Sequence, residues 1–153
     1  MKISKRKIGL AVAGLVAVSL GGAAIAQDAA ANITARQKDM RDVQTNQLAA
    51  NDGAGKGDMA RAKDASIKLN LAFRDAATRF TAGSNSVAGK TTRAKAEIWS
   101  DPAGFKAKID HAIDLTDKLV TAASGTDPIA AQLAVGEVNA LCADCHGVYR
   151  GGG

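Results

Sequence analysis

The chain has 153 residues, with 20 Lys and Arg against 15 Asp and Glu, a formal charge of +5. Lys2, Lys5, Arg6 and Lys7 stand in an N-terminal segment without acids, so residues 27–153 carry only +1, and that near-neutral body makes no electrostatic case for nucleic acid or an anionic membrane. The length fits one domain, the abundant alanine favours helix, and only 3 Phe, 1 Trp and 1 Tyr are present, which leaves a core of this size in want of a non-protein filler.

The N-terminal segment reads as an address. After the basic residues 2–7, Ile8–Leu20 runs without a charge, and Gly21–Ala26 is small-residue and ends Ala24-Ile25-Ala26. This is the pattern of a secretory signal peptide over 1–26, cut after Ala26. The rival reading is an uncleaved anchor, since the weakly apolar stretch 8–26 is nearly long enough to span a bilayer. Cleavage places the body, 27–153, outside the cytoplasm, and no second apolar run predicts another span.

The body reads as helices. The first, about 30–50, is the weakest: Ile33, Met40, Val43 and Leu48 fall on one side, with Gln37 and Gln44 intruding. Glycines in Asn51–Gly57 break it. Met59, Ala62, Ser66, Leu69, Phe73, Ala76 and Phe80 then follow steps of three and four, the clearest helical spacing in the chain. A long joint, about 83–100, follows, and its length invites a role of its own. Asp101-Pro102 and Asp127-Pro128 each place a capping carboxylate before a proline suited to a first helical turn, so helices begin near 102 and 128. Phe105, Ile109, Ala112, Thr116, Leu119 and Ala123 form the third stripe, and Ile129, Leu133, Gly136, Leu141, Cys145 and Val148 a less regular fourth. No segment alternates as a strand does. The expected fold is all-α, an antiparallel up-down-up-down four-helix bundle.

The chemistry lies at the C-terminus. Cys142-Ala143-Asp144-Cys145-His146 is a C-x-x-C-H sequence holding the only two cysteines. On a helix the two sulfurs stand at i and i+3 on one face, placed to form thioethers with neighbouring vinyl groups of one haem. His146 follows directly, its imidazole available to the iron. Export agrees, because c-type haem is attached outside the cytoplasm. The competing readings are weaker. A disulfide suits a secreted pair. A thiol redox couple belongs with a βαβ pattern, absent here. Zinc needs further ligands, and His111, read as a surface residue, is the only other histidine. C-x-x-C-H is a recognised attachment signature, and covalent haem is the preferred assignment.

These residues also carry a resemblance. Cys142-x-x-Cys145-His146-x-x-Tyr149-Arg150 resembles the end of the cytochrome c-prime family, the class II c-type cytochromes. Arg36-Gln37-x-x-Met40 resembles that family's first-helix motif, and Glu97-Ile98-Trp99-Ser100-Asp101, with Phe105 beyond, the segment entering its third helix. The late position of C-x-x-C-H discriminates, since most other single-haem c-type cytochromes carry it near the N-terminus. The resemblance implies that Arg150 lines the proximal pocket, where the chain itself also allows a fraying tail before Gly151–Gly153. It accommodates Met40 with and without ligation to iron, and it implies that a homodimer built on the first helix is common among relatives.

Up-down-up-down topology sets the end of the fourth helix beside the start of the first, so the distal side of the haem should meet residues near 33–44, flanked by Phe80 and the long joint. Met40 is then a thioether ligand, a cap over an open iron, or an ordinary core methionine. Arg36 suits a haem propionate, since guanidinium and carboxylate pair bidentately, or else is a solvated helix charge. Gln37 is expected to add a polar contact. Tyr149, Trp99 and Phe105 read as packing. Lys90, Arg93 and Lys95 form a basic stretch in the long joint, suited to a redox partner or a propionate but read first as a solvated loop. The preferred function is a periplasmic electron carrier meeting redox partner proteins. The alternative is a five-coordinate binder of nitric oxide or carbon monoxide. No Ser/His/Asp set, phosphate loop or carboxylate pair suggests an enzyme.

Overall fold

The computed structural model describes residues 20–152, with side chains from Asp28 onward. The leader expected over 1–26 lies outside the described residues, except that the backbone of 20–26 is helical and continuous with the first helix. The elements are α1 (Leu20–Gly55), α2 (Met59–Ala77), α3 (Glu97–Ser100), α4 (Pro102–Ala123) and α5 (Pro128–Tyr149). Among the described residues there is no strand, only isolated bridges. α1 packs on α2, α2 on α4, α4 on α5 and α5 back on α1, a closed square of four long helices. The single turn α3 belongs to the long joint between α2 and α4.

Local chemistry sets the helix starts. Asp58, Asp101 and Asp127 accept from the backbone N–H groups of Arg61, Gly104 and Ile129, at 3.0, 3.0 and 2.9 Å, satisfying donors that a helix start leaves unpaired. Pro102 and Pro128 occupy first turns, as expected. Gly57, at φ 72°, makes the tight reversal from α1 to α2 that a side chain would strain.

The main core lies mid-bundle, around Val43, Leu69, Phe73, Leu115, Leu119, Val135 and Val138. The end holding the short turns is closed by Ala54, Ala62, Ala123 and Ala131. A third cluster at the opposite end joins Ile98, Phe105, Ile109 and Tyr149, with Phe80, Trp99 and Cys145 against it. Every residue of the predicted α4 stripe is buried. In α2 the stripe holds as far as Ala76, and Phe80 lies beyond the helix end.

Two registers differ from expectation. Leu48 is 62% exposed, because it lies five residues, about 140° of helix rotation, from the buried Val43. In α5 the buried face is Ala131, Val135, Val138, Leu141 and Tyr149. Ile129 and Leu133 are 66% and 68% exposed and Val148 also faces water. The helix carries apolar residues on two faces, and in its first half the face packed against α1 and α4 is the one with the smaller side chains, Ala131 and Val135.

Candidate cofactor-binding site

The end of the bundle opposite the short turns is hollow. A cavity of about 920 Å³ opens between α1, the long joint, α4 and the C-terminal half of α5. Its size lies near the top of the range for small-molecule sites, roughly 300–1,000 Å³. Phe73, Phe80, Phe105, Ile109, Val138 and Leu141 give it apolar walls. Met40, Cys142, Cys145 and His146 all reach it, as do Arg36, Gln37 and Arg150. The topology thus brings together every site residue picked out in the sequence, while His111 stays on the surface.

The cysteines and the histidine come from the last turns of α5. Cys142 and Cys145 are half-buried and form no disulfide. Burial pushes both thiols up from their ordinary value, and the neighbouring Cys142 sulfur adds to the shift at Cys145. His146 stands more open, at the cavity mouth. Partial burial of its ring, followed by the charges of Arg150 and Arg93, holds its imidazole below the usual range, so it is neutral at pH 7 with a lone pair to offer a metal. Among the described residues no three His, Cys, Asp or Glu side chains converge as a metal-ion site. The zinc reading therefore has no ligand set, whereas one imidazole beside two thiols is what a haem bound through thioethers requires.

The end of α5 is tied down, contrary to a fraying tail. Lys95 N–H donates to Tyr149 O at 3.0 Å, and Gly151 N–H to Arg93 O at 2.7 Å. Lys95 Nζ reaches Val148 O at 2.7 Å. Tyr149 is buried, and its hydroxyl donates to Asp101 Oδ2 at 3.2 Å. Gly104 makes that approach possible, since a Cβ there would lie 2.8 Å from the Tyr149 hydroxyl and press on the Asp101 carboxylate. The joint between α2 and α4 is thus a strap across the chain end that carries His146.

Arg36 fixes the other end of the strap. Its side chain is only 3% exposed, and burial lowers its pKa from the usual guanidinium value. Nη1 donates to Ser84 Oγ at 2.9 Å, and Nη2 to Ser84 O at 2.8 Å and Thr92 Oγ1 at 2.9 Å. The guanidinium also lies 5.2 Å from the Phe80 ring centre and 5.4 Å from that of Trp99, within cation–π range. The solvated-charge reading of Arg36 is thereby corrected. Two of its five N–H groups make no hydrogen bond among the described residues, and the side chain lines the cavity. Gln37 Nε2 donates to Thr91 O at 2.8 Å, a second stitch between α1 and the strap.

Sequence reasoning missed Ser84 and Thr92, which hold Arg36, and Arg41, Gln44, Gln47 and Lys108, which line the cavity. Gln44 and Gln47 follow Met40 by four and seven, and that helical spacing was the available signal. Loop residues such as Ser84 offer no period to read.

A family model described as Cytochrome C' matches residues 31–150. A curated cytochrome c' from Rubrivivax gelatinosus is 40% identical over 62 residues, 40% of this chain and 48% of that protein, so the matched stretch spans about half its length. The crystal structure of cytochrome c' from the same organism aligns with a TM-score of 0.71 and 28% identity, over 78% of this chain and 94% of that one. A nitric oxide complex of a cytochrome c prime variant from Alcaligenes xylosoxidans aligns with a TM-score of 0.70 and 27% identity, over 79% and 94% of the two chains.

Proposed function

Because the chain belongs to the cytochrome c' family, whose members bind a covalently attached c-type haem, we propose that Cys142 and Cys145 hold that haem through thioethers and that His146 is its proximal iron ligand. The donor set fits: two thiols on one helix face, a neutral imidazole beside them, apolar walls, and cationic side chains at the mouth. When bound, the haem would supply a one-electron ferric/ferrous couple and an iron able to take further ligands. The protein's part is to hold, orient and screen it. His146 is oriented by α5, whose end the strap clamps. Arg36 keeps two N–H groups free of the strap and would offer them to a haem carboxylate, Gln37 lines the cavity beside it while holding Thr91, and Arg150 follows His146 by one helical turn.

The function the geometry supports best is carriage of single electrons by a periplasmic monohaem cytochrome that catalyses no reaction of an organic substrate. The observation that carries it is Met40. Half-buried on α1, it lines the same cavity as Cys142, Cys145 and His146, which makes its thioether the candidate second ligand of the iron. A thioether in that place raises the potential and limits rearrangement between oxidation states. A second reading, binding of nitric oxide or carbon monoxide under Met40 as a cap, draws on the nitric oxide and carbon monoxide complexes of cytochrome c prime among the similar structures. Absorption spectra of ferric and ferrous protein, with and without carbon monoxide, separate the two. A low-spin ferric spectrum with a methionine charge-transfer band, lost in Met40→Leu, is expected for the carrier. A high-spin spectrum that converts promptly with carbon monoxide moves gas binding to first place.

The periplasmic assignment rests on the leader read over residues 1–26. No helix of the described residues is long and apolar enough to cross a membrane. N-terminal sequencing of the exported holoprotein is expected to begin at Gln27.

A further inference from the structure

The near-neutral net charge conceals a segregation. Lys63 and Lys118 aside, every Arg and Lys among the described side chains that has no carboxylate within salt-bridge reach lines the cavity: Arg36, Arg41, Lys90, Arg93 and Arg150. Lys108 lines it too, but pairs with Asp144. No Asp or Glu lines it. Elsewhere on the bundle the cations are neutralised locally, several by carboxylates one helical turn away, as Lys38 is by Asp42 and Lys68 by Asp64.

Arg36 is buried and largely committed to Ser84 and Thr92. The other four are exposed and stand on three separate elements: Arg41 on α1, Lys90 and Arg93 on the strap, Arg150 at the end of α5. A haem has two carboxylates. Set against any two of the five cations, they leave the mouth positively charged. A site for a small anion would aim buried donors at one point. Exposed charges spread over three elements suit an extended surface of opposite sign.

We propose that the cavity mouth is the docking face for an acidic protein, the electron donor or acceptor of this cytochrome. The cationic face stands on the side chains alone. Only the assignment of its occupant as a redox partner rests on the haem reading above. Lys63 and Lys118 are the only other described cations without a carboxylate partner, and neither lines the cavity, so attraction for an acidic surface is concentrated at this face. Encounter is therefore oriented with the haem edge toward the partner, over a range set by the Debye length, about 8 Å at physiological ionic strength.

The test uses the haem-loaded protein, with poly-L-glutamate as the acidic probe and amide shifts in ¹⁵N–¹H spectra as the readout. Expected are shifts confined to residues around Arg41, 90–95 and 149–151, abolished by about 0.2 M salt. Affinity should fall at least about tenfold in Lys90→Glu/Arg93→Glu. Neither residue is assigned to the thioethers or the iron, so the absorption spectrum of attached haem reports separately on the functional reading. A chain without attached haem defeats that reading and leaves the titration interpretable. Shifts scattered over all helices, or an unchanged affinity in the double variant, overturn the docking face. So do equal shifts from inorganic phosphate at the same charge concentration, which mark a small-anion site. Displacement of poly-L-glutamate by phosphatidylglycerol vesicles, but not by phosphatidylcholine vesicles, reassigns the face to lipid.

Discussion

The two ends of the bundle are built on opposite plans. At the end with the short turns, Ala54, Ala62, Ala123 and Ala131 let the helices close on one another, and Asp58 and Asp127 cap the helices that start there. At the other end stand Phe80, Phe105 and Tyr149, with Trp99 behind them and Phe73 of the main core also lining the space, yet it holds an open cavity of about 920 Å³. Four of the chain's five aromatics line the hollow and the fifth, Trp99, packs behind them, so they form walls for a group that they do not replace. Small residues complete one end, and a cofactor completes the other.

Removing that filler should produce the largest effect. A void of this size greatly exceeds the roughly 150 Å³ engineered cavities that stay empty in otherwise stable proteins. Cys142→Ala/Cys145→Ala, made without covalent haem, is expected to lose amide protection over 98–112 and 138–149 while the alanine-closed end keeps it. Hydrogen exchange read residue by residue checks this. Equal loss at both ends would show one cooperative unit and break the comparison.

Next in size is the strap. Arg36→Met keeps bulk between Phe80 and Trp99 but strips donors from the buried Ser84 carbonyl and from Thr92. Loss of buried hydrogen bonds to a charged group costs about 2–3 kcal/mol, measurable by urea unfolding of the holoprotein. Arg36→Lys should not restore it, because one ammonium cannot replace a planar fork that bonds two residues and faces two rings. A lysine variant as stable as the parent would remove the clamp.

What could be read beforehand follows this division. The α4 stripe and the proline-led starts were legible because a single apolar face and a capping carboxylate are local signals. Cys142, Cys145 and His146 were legible because three side chains within five positions already satisfy one chemistry. α5 misled, since Ile129 and Leu133 outrank Ala131 and Val135 in hydrophobicity but not in fit against two close neighbours. The burial of Arg36 was hidden in Ser84 and Thr92, which stand 48 and 56 positions away in an aperiodic loop. Hydrophobic periodicity reports helix faces. It does not report which loop will lie across them.

Smaller still are the caps, one at each end. Asp58→Ala, at the alanine-closed end, removes the acceptor for Arg61 N–H and should cost about 1 kcal/mol. Gly104→Ala, at the hollow end, forces Asp101 and the Tyr149 hydroxyl apart. Both are ends of flexible side chains, so the loss is again about 1 kcal/mol, that of a cap. The two differ in reach: Gly104→Ala should also perturb amides at 149–151 through Tyr149, whereas Asp58→Ala should perturb only its own turn.

The smallest effect belongs to the alanine-closed end and depends on pH. Asp52 accepts from Lys56 Nζ at 2.7 Å and lies 3.2 Å from Arg61, tying the end of α1 to the start of α2. The hydrogen bond from Lys56, and then the Lys56 and Arg61 charges, hold its carboxyl below the usual value against some burial. A folded-state pKa below the unfolded one means that the native chain binds this proton less tightly. The stabilisation is therefore fully present above the ordinary carboxylate range and is lost as pH falls through that range toward the folded value. Asp52→Asn should accordingly be less stable than the parent at pH 7 and equal to it at strongly acidic pH. Added salt should narrow the gap at pH 7, because exposed pairs are screened. Urea midpoints for parent and variant across the acid range measure the convergence. A gap that persisted at low pH would assign the contribution to packing or helix propensity, and the alanine-closed end would then owe nothing to charge.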